Sequence, residues 1–135
     1  MTALWADQAG PSVKEDVTSL LNPALDVTSA SIHGGIASRH FIVLMDLEGE
    51  LLVRMGFGTS DVGALVEPVL DDYSSLRAIL CVRDCGDETD PTLRAFGDHR
   101  EAPAFDCEVS WRRTESSRLD VVSFDISVSA WWLFD

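Results

Sequence analysis

The chain has 135 residues, 46% of them hydrophobic, which is enough for one core without disulfide or metal staples. Its 23 acidic and 10 basic residues give a formal net charge of −13, and Lys14 is the sole lysine, so a nucleic-acid backbone, which needs clustered Lys and Arg, is excluded as a partner. No apolar run exceeds the five residues of Phe41–Met45, far below the ~20 needed to span a bilayer.

The whole chain, 1–135, reads as a single domain with a loose N-terminal arm over residues 1–11. The arm carries no basic region ahead of an apolar one, so no secretory signal is expected and the protein is placed in the cytoplasm. Ser12-Val13-Lys14-Glu15 has the capping-box pattern, and Val13, Val17, Leu20 and Leu21 recur at helical spacing. A helix is expected from Ser12 to about Asn22, stopped by Pro23. Val27 to Ile32 is rich in β-branched and small residues and reads as a strand, broken by Gly34-Gly35. His40–Met45, the turn Asp46–Glu50 and the alternating Leu51, Val53, Met55 and Phe57 predict a β-hairpin with Gly49 at positive φ.

Thr59 or Ser60 can cap a second helix carrying an apolar stripe of Val62, Leu65, Val66, Val69 and Leu70, kinked or delayed by Pro68. Leu76–Arg83 reads as a buried strand. Asp84–Pro103, polar and punctuated by Gly and Pro, reads as a long loop with a helical turn around Leu93–Phe96. In the last third, Phe105, Cys107, Val109 and Trp111 alternate with Asp106, Glu108, Ser110 and Arg112. Val122, Phe124, Ile126, Val128 and Ala130 alternate with serines and Asp125, so two antiparallel strands meet near Glu115-Ser116-Ser117. The expected fold is α+β: an antiparallel sheet of five to six strands, in the order α-β-β-β-α-β-β-β, with two helices on one face.

This order resembles that of the bacterial secretion chaperones that run α-β-β-β-α-β-β-α. Those proteins close with a helix, whereas this chain closes on Ser129-Ala130-Trp131-Trp132-Leu133-Phe134-Asp135. The resemblance implies a dimeric module, one alternative for the function.

Motifs that carry chemistry are sparse. Gly56-Phe57-Gly58-Thr59-Ser60 sits where a strand feeds a helix, but the third glycine of a dinucleotide fingerprint would fall at Asp61, which repels an anion. Cys81 and Cys85 could bind zinc with Cys107 or His99, yet a lone C-x₃-C pair is a weak signal and alternation already explains Cys107 as a core residue. An odd number of cysteines favours reduced thiols over a disulfide framework. Asp84, Asp87, Glu88 and Asp90 crowd one loop without EF-hand spacing and read as a solvated cluster. His33, His40 and His99 are potential bases with no nucleophile motif beside them, so an enzyme using His and Asp in a sheet pocket is a second alternative. No cofactor and no metal are expected.

The acidity and the aromatic C-terminus point first to an acidic binding protein for a basic protein partner, in its most concrete form an immunity-type inhibitor of a bacterial toxin, with a homodimer possible. The partner-binding residues would be Asp71, Asp72, Asp106, Glu108 and Asp125, with Trp131 as an aromatic anchor, since charge speeds encounter and desolvated aromatics hold a complex. Solubility alone is the competing account of the charge.

Overall fold

The computed structural model describes residues 10–34, 40–55, 73–87, 89–115 and 119–128. Helix α1 (Pro11–Gly34) is followed by β1 (Phe41–Asp46), β2 (Leu51–Met55), a 3-10 turn at Tyr73–Ser75, β3 (Leu76–Asp84), β4 (Thr92–His99), β5 (Ala102–Arg113) and β6 (Leu119–Val128). All six strands join one antiparallel sheet in the order β2-β1-β3-β4-β5-β6. The α+β class holds, with one helix and six strands among the described residues. The helix expected from Ser60 to Leu70, like the arm over residues 1–9, lies outside them. No described helix is long and apolar enough to cross a membrane.

Two expected elements are corrected. The first helix does not stop at Pro23, and Val27–Ile32 is helical rather than a strand. Pro11 takes the first helical position, where a missing N–H costs nothing, and Lys14 N–H bonds back to the Gly10 carbonyl at 3.1 Å, so Ser12 lies inside the first turn rather than capping it. Val13, Val17, Leu20, Ala24 and Thr28 are all buried at spacings of three or four, and Leu21, Leu25, Val27 and Ile32 pack beside them. This stripe runs unbroken past Pro23. A proline in a helix interior costs ~3 kcal/mol, whereas each fully buried Val or Leu side chain returns roughly 1.5–3 kcal/mol, so burial on both sides of Pro23 keeps the helix whole. Thr28 buries its hydroxyl without penalty by donating to the Ala24 carbonyl at 2.8 Å.

The second correction is β4, which occupies much of the expected loop from Asp84 to Pro103 and replaces the helical turn at Leu93–Phe96. Its face toward α1 carries Leu93, Ala95 and Gly97, opposite Val109, Cys107 and Phe105 of β5. Two of those three side chains are minimal, and at Gly97 the reason is Phe105. A Cβ on Gly97 would lie 2.5 Å from the Phe105 ring and 2.6 Å from the Ile79 carbonyl oxygen. The pairing of a strand glycine with a cross-strand aromatic makes a weak hydrophobic pattern and a tight contact at once.

Strands β1 and β3 show why the sequence there is continuously apolar. Phe41, Val43, Met45, Ala78, Leu80 and Val82 face α1, while Ile42, Leu44, Ile79 and Cys81 are buried on the opposite face. Central strands dry on both faces lose the alternation that marks half-exposed ones. Toward β5 and β6 the second face opens to solvent, and alternation returns: Phe105, Cys107, Val109 and Trp111 are buried, Asp106 and Glu108 exposed. Trp111 anchors that end, its indole N–H donating to the Cys85 carbonyl at 3.0 Å.

The expected hairpin forms. Gly49 has φ 88°, its N–H bonds the Asp46 carbonyl at 3.0 Å, and Asp46 Oδ1 accepts from the N–H groups of Glu48 and Glu50, both at 2.9 Å. Gly49→Val, which forces a β-branched residue into left-handed backbone, is expected to destabilise by ~1 kcal/mol or more. Gly97→Ala, which overpacks the Phe105 contact, is expected to cost about 1–3 kcal/mol. Urea unfolding midpoints of both variants check these values.

Candidate functional site

The register of β4, β5 and β6 assembles an acidic surface on the face of the sheet opposite α1. Arg94, Glu108 and Asp125 lie directly across from one another in one row; Phe96, Asp106 and Ser127 form the next. Of the residues expected to bind a partner, Asp106, Glu108 and Asp125 are thus brought together, all exposed. They line an open groove of about 400 Å³ with Cys107, Ile126 and Ser127. Asp71, Asp72 and Trp131 lie outside the described residues.

The electrostatics of this surface are unbalanced. Arg94 lies 3.0 Å from Asp90 and 3.6 Å from Glu108. Its guanidinium is held above its ordinary pKa, chiefly by the hydrogen bond and charge of Asp90 and less by Glu108 and Asp84. One cation is therefore shared among three carboxylates. Among the described residues no basic side chain pairs with Asp106 or Asp125. Glu108 and Asp125 sit at directly opposed positions, a placement of like charges that weakens a strand pair. The role of Arg94 was hidden because its strand reads as a loop.

The acidic loop after β3 has a structural use. Asp84 Oδ1 accepts from Gly86 N–H at 2.9 Å, and Asp87 Oδ1 accepts from the N–H groups of Thr89 and Asp90 at 2.9 and 2.8 Å. These carboxylates hold the turn in which Gly86 takes φ 86°. Glu88 lies outside the described residues.

The histidine with a carboxylate beside it is equally committed. His99, 1% exposed, has Nε2 2.8 Å from Asp16 Oδ2 on α1, and its Nδ1 accepts from Glu101 N–H at 3.0 Å. With Nδ1 an acceptor, the proton sits on Nε2 and is donated to Asp16. A bulge between β1 and β3 frees Arg77 to lie 3.6 Å from the same carboxylate and to donate to the Leu47 carbonyl. This cluster ties the helix to two turns of the sheet, and neither ring nitrogen is left to act as a base.

The thiols are separated by the sheet. Cys81 pairs with Ile42 and Phe96 on the face away from α1, whereas Cys107 pairs with Ala95 on the face toward it, so the two cannot share a metal ion. Burial pushes both thiols up, Cys107 to about 12 with smaller contributions from Asp106 and Glu108. The residues of Gly56–Ser60, and the side chain of His33, lie outside those described.

No protein-family model matches the chain, and neither a curated protein nor a solved structure matches it.

Asp16→Ala strands the buried Nε2–H and is expected to cost about 1–3 kcal/mol, with Asp16→Asn milder because its amide oxygen can accept the same bond; thermal melts of both check this. The thiols give a pH signature. Because the folded pKa of Cys107 lies above the unfolded value of 9.0, the unfolded chain loses its proton first, and stability is full below pH 9 and declines as pH climbs toward 12. Urea midpoints should fall between pH ~8 and ~10.5, less steeply in Cys107→Ala.

Proposed function

We propose that the chain is an acidic binding protein that neutralises or escorts a basic protein partner, in its most concrete form an immunity-type inhibitor of a bacterial toxin. The observation that carries the reading is the cluster of Asp106, Glu108 and Asp125 in two adjacent rows on an exposed part of the sheet, with Arg94, already held by Asp90, the one cation that pairs with any of them among the described residues. Carboxylates set opposite one another, as Glu108 and Asp125 are, weaken the strands that bear them, and solubility could be served equally well by acids scattered apart. A basic partner removes the repulsion on binding, and the field of this surface accelerates its approach.

The committed hydrogen bonds of His99 weigh against the enzyme alternative. The secretion-chaperone alternative is weakened by the strand count, since two described strands precede residue 56 and four follow residue 75 where that order has three and two.

The triple variant Asp106→Asn/Glu108→Gln/Asp125→Asn tests the reading against a basic protein co-purified with the native chain. Its association rate is expected to fall about tenfold or more and to lose most of its dependence on salt, while the melting temperature holds or rises. Unchanged association in a folded variant overturns the site. Failure of any basic protein to co-purify leaves solubility as the better account of the charge.

A further inference from the structure

Strand β6 ends the sheet, and its geometry specifies more than a charge. It runs ten residues, Leu119–Val128, and pairs with β5 along one side; among the described residues no strand follows it on the other. An edge of this length presents a row of backbone N–H and C=O groups to whatever strand approaches. Natural edges are commonly blunted by charged side chains, above all lysine, by proline and by β-bulges. The sequence LDVVSFDISV has no lysine, arginine or proline; its charges, Asp120 and Asp125, are both acidic and so deter an acidic strand but not a basic one, and its one register shift lies at Val122. The opposite edge, β2, is half as long and carries Arg54.

The side chains of β6 divide by face. On the side of α1, Phe124 stands across from the buried Val109 and Val121 across from the buried Trp111, yet both are left 41% and 49% exposed; Val122, at the register shift, is 62% exposed. On the other side stand Ser123, Asp125 and Ser127, next to Glu108 and Asp106. This edge therefore combines three things along a single line: the outer backbone side of the last described strand, an apolar strip on one face and carboxylates on the other.

We propose that β6 receives an extended segment of the basic partner as a seventh strand. The proposal rests on the acidic-binding reading and adds its mode. The fitting segment alternates arginine or lysine with valine, isoleucine or an aromatic residue, because side chains opposite one another in a sheet share a face. Its basic residues then meet Asp125 and the neighbouring Asp106 and Glu108, while its apolar residues cover Phe124 and Val121. Backbone bonds supply affinity that any strand could gain, and the alternation supplies selectivity. The same carboxylates disfavour a second copy of this chain, which carries a charge of −13 and would bring Asp120 and Asp125 of each copy to one seam.

The test uses the full chain and three synthetic peptides of about nine residues: one alternating arginine and valine, one of the same composition with the arginines in a block, and one alternating but N-methylated at every second amide so that one edge cannot hydrogen bond. The alternating peptide is expected to bind at least about tenfold more tightly than either control and to slow hydrogen exchange at the edge-facing amides of Leu119–Val128. Equal, salt-sensitive binding of all three overturns strand addition while leaving the acidic reading intact. Absence of binding by any of them overturns both for basic segments. A dimer by sedimentation that dissociates on mutating Phe124→Lys, or edge amides already protected in the peptide-free monomer, assigns the edge to another occupant and overturns the proposal.

Discussion

Among the described residues a single helix, α1, covers one face of a wide sheet, and much of the described architecture follows from that. Six strands spaced by ~4.8 Å make a surface roughly 24 Å across. A helix ending at Asn22 would be only about 18 Å long, whereas the 24 residues of Pro11–Gly34 span roughly 36 Å. The longer helix contacts β1 and β3 and reaches β6. Pro23 is tolerated because the stripe of Val13, Val17, Leu20, Ala24 and Thr28 buries too much to be broken in the middle. The cluster of Asp16, His99 and Arg77 then fixes where that helix sits, using charge-assisted contacts at the rim where apolar packing runs out.

Cover thins toward the last strand. Trp111 is buried, but Val121 and Phe124 beside it on the same face are half-exposed, and the second face has turned from Ile79 and Cys81 to Asp106 and Asp125. The sheet thus grades from a dry, two-sided centre at β1 and β3 to a wet edge at β6. Stability is concentrated at one end and chemical individuality at the other. Such an arrangement lets the acidic surface bear repulsion without threatening the core, because the residues that carry it take little part in holding α1.

Legibility in the sequence followed the same gradient. Alternation makes β5 and its buried face readable, and the first hairpin follows from Gly49 and its flanking acids; in β6 alternation gives the strand but not its burial, since Val122 sits at the register shift and Phe124 stays exposed. Continuous burial made β1 and β3 readable as apolar runs. What failed was where one rule spoke too loudly. Pro23 suggested a stop although Ala24, Val27, Thr28 and Ile32 continue the helical spacing, and β-branched residues within that stretch favoured a strand in isolation. β4 escapes the pattern because two of its core-facing residues, Ala95 and Gly97, are small, Gly97 for a reason located on another strand, the ring of Phe105. Of the acidic site, the faces of Asp106, Glu108 and Asp125 followed from period two; their mutual placement required the register, which no local pattern supplies.

The fit between Gly97 and Phe105 has a consequence for how the chain reaches this sheet. Antiparallel strands can slide, and displacing β5 by one residue against β4 would set Phe105 opposite Phe96 or Asp98, residues of the face away from α1, instead of the glycine that makes room for its ring. A slipped pairing thereby loses both the burial of β5's apolar face and the room that Gly97 gives the ring. The missing side chain at one position thus favours one register over its neighbours, and the cross-strand placement of Glu108 against Arg94 depends on that register.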